Sequence, residues 1–105
     1  MKILLKDIKK INKTLKLLTP EKQTIKFSSG IVVLKKGQSV GEHTTENKEE
    51  VIFVVEGKGW LLVNGKKYKK LNPNYFVYIP KDVKHNIVNN SSEVLKYFYL
   101  TTKVI

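Results

Sequence analysis

Short runs of β-branched and aromatic residues, separated by turn residues, make up most of the sequence after Gln23. Runs of this length and composition are typical of β-strands with buried faces. We predict strands at residues 24–27, 31–34, 51–55, 60–63, 75–79 and 94–101. With two further candidates near the N-terminus, the number and spacing of these strands predict an all-β sandwich or barrel.

The turns between these strands are marked by glycine, proline, asparagine and serine. Asn64-Gly65 is the strongest hairpin signal, because both residue types tolerate a positive φ. Further turns are predicted where the strand-forming residues stop, at 19–22, 28–30, 35–37, 57–59, 71–74 and 89–92.

Residues 1–18 fit more than one structure. Five apolar residues recur here at the spacing of one helix face, with lysines between them: Leu4, Ile8, Ile11, Leu15 and Leu18. That pattern is also typical of a basic helix at a membrane surface. Residues 2–8 and 14–18 fit two short strands as well. We favour the strands, because tertiary context often overrides local pattern over so short a segment.

Composition supports a single globular domain over residues 1–105, since 41% of the residues are hydrophobic. The sequence contains no cysteine, which excludes disulfides, thiol catalysis and cysteine-ligated metal sites. It also lacks a signal peptide and an apolar stretch of the roughly 20 residues that span a bilayer. We therefore predict a cytoplasmic protein without a membrane partner.

The net charge of +11 does not by itself predict a nucleic-acid-binding protein. All 20 basic residues are lysine, whereas arginine makes the commonest specific base contact and the best bidentate phosphate contact. The lysines are spread along the chain, and their densest cluster is Lys66, Lys67, Lys69 and Lys70. We expect a solvated basic surface and no specific nucleic-acid partner.

The candidate chemistry lies with the two histidines, His43 and His85, and with an acidic pair that begins a predicted strand, Glu49 and Glu50. Imidazole and carboxylate are the strong metal ligands that a protein without cysteine retains. The sequence shows no phosphate-binding glycine loop, nucleophile elbow or Ser-His-Asp pattern. These residue types therefore favour a metal site.

The spacing of these residues resembles the two motifs of the cupin family. The first motif matches residues 37–57 at Gly37, His43, Thr45, Glu50 and Gly57. The second matches residues 74–89 at Asn74, Pro80, Asp82, His85 and Asn89. Thr45 stands where the family has a second histidine. Asn74 and Asp82 replace glycines, and both residue types tolerate left-handed backbone angles.

This resemblance implies a double-stranded β-helix, or jelly-roll barrel. It implies that His43, Glu50 and His85 bind a divalent transition metal, with Thr45 at the fourth ligand position. Since a neutral hydroxyl is a poor ligand, Thr45 can instead hold a metal-bound water or donate to Glu50. Two imidazoles and one carboxylate are typical of non-haem Fe sites, and Mn, Ni, Zn and Cu are also compatible. Glu49 is an alternative inward residue, although the spacing to Gly57 favours Glu50.

In the expected fold these side chains face the barrel interior. His43 and Thr45 lie two apart on a strand and therefore share a face. We expect a turn at residues 46–48 to bring the next strand alongside, so that Glu50 enters from there. We expect His85 to come from a strand across the barrel.

The resemblance leaves two classes of function open. One is a metal-dependent enzyme, dioxygenase-like or isomerase-like, that acts on a small molecule. The other is a non-catalytic module that binds or senses a small molecule or a metal. A purely structural barrel, with no metal and a cavity filled by side chains, is a third possibility. Lys48, near the rim, can attract an anionic substrate, but we favour a solvated turn residue at this position. Whether the chain is an enzyme is not decided by its sequence.

Two further expectations concern the location of the aromatic residues and the oligomeric state. Six aromatic residues are candidates to line a ligand cavity, but aromatic residues in a small barrel belong more often to the core or to a dimer interface: Trp60, Tyr68, Tyr75, Tyr78, Tyr97 and Tyr99. Because small cupins usually pair, the resemblance implies a homodimer. The apolar N-terminal segment and the final strand are the candidates for its interface, since an exposed strand edge needs covering.

Overall fold

The computed structural model describes residues 3–104, which form two β-sheets and one short helical turn. The turn is a 3-10 helix at Ile8–Lys10. The nine strands are β1 (Leu15–Leu18), β2 (Ser28–Leu34), β3 (His43–Thr44), β4 (Lys48–Glu56), β5 (Gly59–Val63), β6 (Lys66–Leu71), β7 (Phe76–Ile79), β8 (Lys84–Val88) and β9 (Leu95–Lys103).

The strands pair into a five-stranded sheet and a four-stranded sheet. Their orders are β1-β2-β9-β4-β7 and β3-β8-β5-β6, and the paired strands are antiparallel. The prediction of an all-β protein is therefore confirmed. The prediction of one domain over residues 1–105 stays a prediction.

Alternate residues of the two sheets point inward and meet in one apolar core. Along β4 the buried positions are Glu50, Ile52 and Val54, as the period of a strand requires. Ile52 and Val54 pack in one cluster with Leu61 and Ile87 of the opposite sheet. Glu50 continues the same inward row, so the core leads directly to the candidate site.

Several turns follow the predicted backbone chemistry. Asn64 and Gly65 have φ values of 52° and 79°, as the predicted two-residue hairpin requires. Asn74 and Asp82, which replace motif glycines, have φ values of 70° and 60°. The motif therefore keeps its left-handed positions although the glycines are gone.

The N-terminal segment differs from its predicted strands. The strand at 14–18 is confirmed as β1, but residues 3–8 form no strand, and Lys2 lies outside the described residues. The ammonium of Lys96, which is 4% exposed, donates to the carbonyls of Ile8 and Ile11 at 2.8 and 2.7 Å. These backbone acceptors thus bind a buried lysine instead of a neighbouring strand.

The region before β2 also differs. Thr24 forms an isolated bridge with Pro20, and bends follow at Ile25 and Lys26, so the predicted strand at 24–27 is wrong. The predicted turn at 28–30 is wrong as well, because these residues begin β2. A Cβ at Gly30 would lie 2.8 Å from the Tyr99 hydroxyl of the paired strand. Gly30 therefore makes room for an aromatic side chain instead of ending the strand.

The sheet topology rules out one of the two candidate dimer surfaces. The final strand β9 lies between β2 and β4, so it is not the edge strand that a dimer would cover. Apolar N-terminal side chains are exposed, with Ile3 at 80% and Leu5 at 85%. The homodimer stays a prediction, and the N-terminal segment is its remaining candidate surface.

Between residues 3 and 104, no helix is both long and apolar enough to cross a membrane. The four lysines of β6 are exposed, as the expectation of a solvated basic surface requires. The cytoplasmic location and the lack of a specific nucleic-acid partner stay predictions.

Candidate metal centre

Three side chains from three strands converge at one end of the core. His43 lies on β3, His85 on β8 and Glu50 on β4. One potential ligand atom from each residue lies within 4.8 Å of the other two. The structure therefore brings together the residues that the sequence singled out.

The arrangement of the strands that carry these three residues differs from the expectation. His43 and His85 are directly opposite each other on neighbouring strands of the same sheet, so His85 does not come from across the barrel. Glu50 does, because β4 belongs to the other sheet. The turn after β3, closed by the Lys48 amide donating to the Thr45 carbonyl at 3.0 Å, carries the chain between the sheets.

Both imidazoles are oriented by their own backbone. The Nδ1 of His43 donates to the Gly41 carbonyl at 2.9 Å, and the Nδ1 of His85 donates to the Val83 carbonyl at 3.0 Å. Since a carbonyl can only accept, these bonds place a proton on Nδ1 and leave Nε2 as the coordinating atom. The ring centroids are 4.3 Å apart, so both Nε2 atoms belong to one site.

The third group is held by a buried hydrogen bond. The Nε2 of His85 lies 3.1 Å from Oε1 of Glu50, and the two residues are 1% and 7% exposed. Burial lowers the pKa of His85, but hydrogen bonds to Glu50 and the Val83 carbonyl, with the Glu50 charge, outweigh it and leave that pKa above 6.5. In the metal-free chain, a proton on His85 thus balances the charge of Glu50, which is the role that a metal cation would take.

Glu50, and not Glu49, is the inward member of the acidic pair. Glu49 occupies the outer face of β4, where its carboxylate accepts a hydrogen bond from the Tyr78 hydroxyl. His43 is exposed, in contrast to the buried Glu50 and His85. The site therefore opens to solvent on the side of His43.

The Thr45 hydroxyl forms hydrogen bonds to backbone groups. Its Oγ1 donates to the Pro80 carbonyl at 2.7 Å and accepts from the Val83 amide at 3.0 Å. Thr45 is 6% exposed, so its own hydroxyl has little access to water. The hydroxyl thus ties the loop between β7 and β8 to the turn after β3, and this loop carries the carbonyl that orients His85.

The Thr45→Val variant tests this role. Valine keeps the shape but leaves the Pro80 carbonyl and the Val83 amide without that partner, which should lower the free energy of unfolding by about 1–3 kcal/mol. We expect the metal stoichiometry to be unchanged. Chemical denaturation and elemental analysis measure the two effects, with the exposed Thr44→Val as control. Lost metal at unchanged stability would instead make Thr45 a ligand.

The aromatic residues divide between the core and the surface. Tyr97 belongs to the buried core and Tyr99 packs against it, whereas Tyr68, Tyr75 and Tyr78 are exposed. The sixth, Trp60, lies under the ammonium of Lys67, 4.7 Å from its ring centroid.

Burial, with the Glu50 charge, raises the pKa of Tyr97 and of Tyr99 above the ordinary value of 10. Both phenols therefore stay protonated near neutral pH.

Asn89, the last residue of the second motif, has a structural role. It is 1% exposed, and its side-chain amide donates to the Leu34 and Glu93 carbonyls at 2.8 and 2.7 Å. Its Oδ1 accepts from the Ser91 amide at 2.9 Å. The residue holds the turn after β8 and lies apart from the three converging groups.

The donor set fits a divalent transition metal. Two neutral imidazoles and one carboxylate leave positions open for water or a small molecule, which is the facial arrangement of many non-haem Fe(II) sites. Carbonyls behind both histidines supply the outer partners that such ligands usually have.

A family profile described as the cupin domain matches residues 30–101, about two thirds of the chain, and the matched segment includes all three converging residues. The chain belongs to the cupin family. No curated protein matches this cupin.

Solved structures share the fold of this cupin at low sequence identity. The cupin domain of Cnp3 from Schizosaccharomyces pombe is 16% identical with a TM-score of 0.83, and the match covers 97% of this chain and 75% of that one. An RmlC-like cupin family protein with a double-stranded β-helix fold, from Methanocaldococcus jannaschii, is 19% identical with a TM-score of 0.79. That match covers 98% of this chain and 92% of the other. The predicted double-stranded β-helix, or jelly roll, is thus confirmed.

Proposed function

We propose that this cupin binds one divalent transition metal through His43, Glu50 and His85. The observation that carries the proposal is the convergence of their ligand atoms within 4.8 Å. The hydrogen bonds from both Nδ1 atoms support it, because they leave both Nε2 lone pairs available to one ion. Fe, Mn, Ni, Zn and Cu all suit this donor set.

The chain itself contributes orientation and partial shielding from water. The Gly41 and Val83 carbonyls fix the imidazole rings, and the buried Glu50 supplies the negative charge. A bound metal would act as a Lewis acid or as a centre for oxygen chemistry. Small molecules would reach it on the side of the exposed His43.

Two activities suit such a centre, and we propose the enzymatic one first: dioxygenase-like or isomerase-like chemistry on a small molecule. A non-catalytic module that binds or senses a small molecule is the second candidate. It is favoured because the cluster of possible metal ligands found among residues 3–104 contains only His43, Glu50 and His85, with no further carboxylate or imidazole to act as an acid or base.

Metal analysis of the protein purified without a histidine tag tests the proposal. We expect about one transition metal per chain, either as purified or after anaerobic reconstitution with Fe(II), Mn(II) or Zn(II). The metal-loaded protein should also unfold at a higher temperature, because a ligand that binds only the folded state stabilises it. A chain that takes up none of these ions would overturn the metal function and leave a small-molecule module.

A further inference from the structure

Near the C-terminal end of β9 the protein has a pocket of about 370 Å³, here called the mouth pocket. Three lysines line it, Lys26, Lys48 and Lys103, and we call them the mouth lysines. The hydroxyl residues Ser28 and Thr101 also line it. This volume is in the range of small-molecule sites, which usually measure about 300–1,000 Å³.

The strand register connects this pocket to Glu50. Thr101 of β9 lies directly opposite Glu50 on β4 and directly opposite Ser28 on β2. Residues directly opposite each other in antiparallel strands share a face, with Cβ atoms about 4.5–5.5 Å apart. One lining residue of the pocket, Thr101, therefore lies next to a residue of the proposed metal centre.

The same register places two positive charges together. Lys48 lies two residues before Glu50, on the same face, and is directly opposite Lys103. Like charges in such a pair destabilise a sheet. The ion pairs found between residues 3 and 104 are Lys84–Glu42 and His85–Glu50, so neither carboxylate neutralises this pair. A conflict of this kind is typical of a functional site.

The charge balance of the pocket favours an anion. The lining contains three lysines and one acidic residue, Glu21, and Glu50 lies opposite the lining residue Thr101, so positive charges outnumber negative ones by three to two. Ammonium groups bind carboxylate and phosphate oxygens as mobile point charges, and serine and threonine hydroxyls add neutral donors. A small molecule with a carboxylate or phosphate group would thus relieve the repulsion between Lys48 and Lys103.

We propose that the mouth pocket binds the anionic group of a small-molecule ligand through the mouth lysines, Ser28 and Thr101. The substrate class is then a small carboxylate or phosphate ester whose other end reaches the metal. That second step rests on the proposed metal function, whereas the anion site itself does not. The sequence showed only Lys48 near the rim, because its partner Lys103 is brought opposite by non-local pairing.

Calorimetric titration with inorganic phosphate, at fixed pH and ionic strength, tests the anion site in metal-free and metal-loaded protein. We expect both forms to bind phosphate, and the double variant Lys48→Gln/Lys103→Gln to bind it at least about tenfold more weakly. The control Lys66→Gln/Lys70→Gln removes the same charge from β6, where neither residue lines the mouth pocket. Salt screens such remote charges, so the control should stay within about twofold of the original affinity.

The outcomes separate the two proposals. Phosphate binding by a chain that takes up no metal would support the anion site and overturn the metal function. Phosphate binding that needs metal and ignores the lysine changes would overturn the anion site, and so would an equal loss in both double variants. The absence of phosphate binding in the metal-free protein would also overturn it. We expect the pocket variant to unfold at an unchanged or higher temperature, because a repulsive pair is gone, so weakened binding would not reflect misfolding.

Discussion

The Glu50→Gln variant is expected to bind Zn(II) at least about 100-fold more weakly than the original chain, because even a change behind the ligands typically costs about 10–100-fold. The substitution nearly keeps the shape of the side chain but removes the negative charge and one ligand oxygen. Titration of the metal-free proteins with Zn(II) measures the effect. Glu49→Gln is the matched control, since Glu49 faces outward and bonds to Tyr78.

The exposed ligand gives an independent test of the same site. His43→Ala should also lose metal, and because His43 is exposed, the variant should fold normally. A Glu50→Gln variant with unchanged Zn(II) affinity, or a Glu49→Gln variant with the larger loss, would contradict the assignment of Glu50. Circular dichroism of each metal-free variant confirms that lost binding does not reflect lost structure.

The Gly57→Ala variant is expected to have the largest effect on folding. Gly57 has a φ of 84°, and an added Cβ would press on the Val94 carbonyl and lie 2.8 Å from the Leu95 Cα. Left-handed geometry costs about 1–2 kcal/mol and overpacking about 1–3 kcal/mol, so we expect a loss of about 2–5 kcal/mol in the free energy of unfolding. The crowded atoms are backbone, which no side-chain rotation can move.

Gly37→Ala is the matched control for this prediction. Gly37 is also a motif glycine with a φ of 82°, but nothing lies within 4 Å of an added Cβ. It should therefore show only the conformational cost, about 1–2 kcal/mol. Urea denaturation of the three proteins gives the difference. Equal losses of unfolding free energy in the two variants would show that crowding against the Val94 carbonyl does not contribute to the effect.

The spacing of the two motifs predicted which side chains meet, because it reflects the positions of turns and strands that are set by nearby residues. Asn74 and Asp82 adopt positive φ values, as their residue types suggested. His43, Glu50 and His85 converge as expected. The fold class followed from the period of the strands and the chemistry of the turns.

What the sequence did not predict depends on non-local pairing. Placing His85 beside His43 requires knowing that β3 pairs with β8, and no local pattern contains that information. The same holds for Gly30, which resembles a strand break until Tyr99 is placed across from it. The Thr45 hydroxyl was assigned to the fourth ligand position, to a metal-bound water or to Glu50, but its backbone partners lie 35 and 38 residues away in the sequence.

The position of β9 also has a consequence for how the chain reaches this structure. β9 joins β2 to β4, and its pairs with β2 run from Leu34–Leu95 to Ser28–Thr101. A ribosome releases these strands in sequence order, so β2 and β4 emerge before β9. The edges of β2 and β4 that pair with β9 therefore stay unpaired until β9 has been synthesised. Unpaired edges are templates for pairing with other chains, and transiently exposed ones promote aggregation. The yield of folded protein should thus depend on what shields those edges during synthesis.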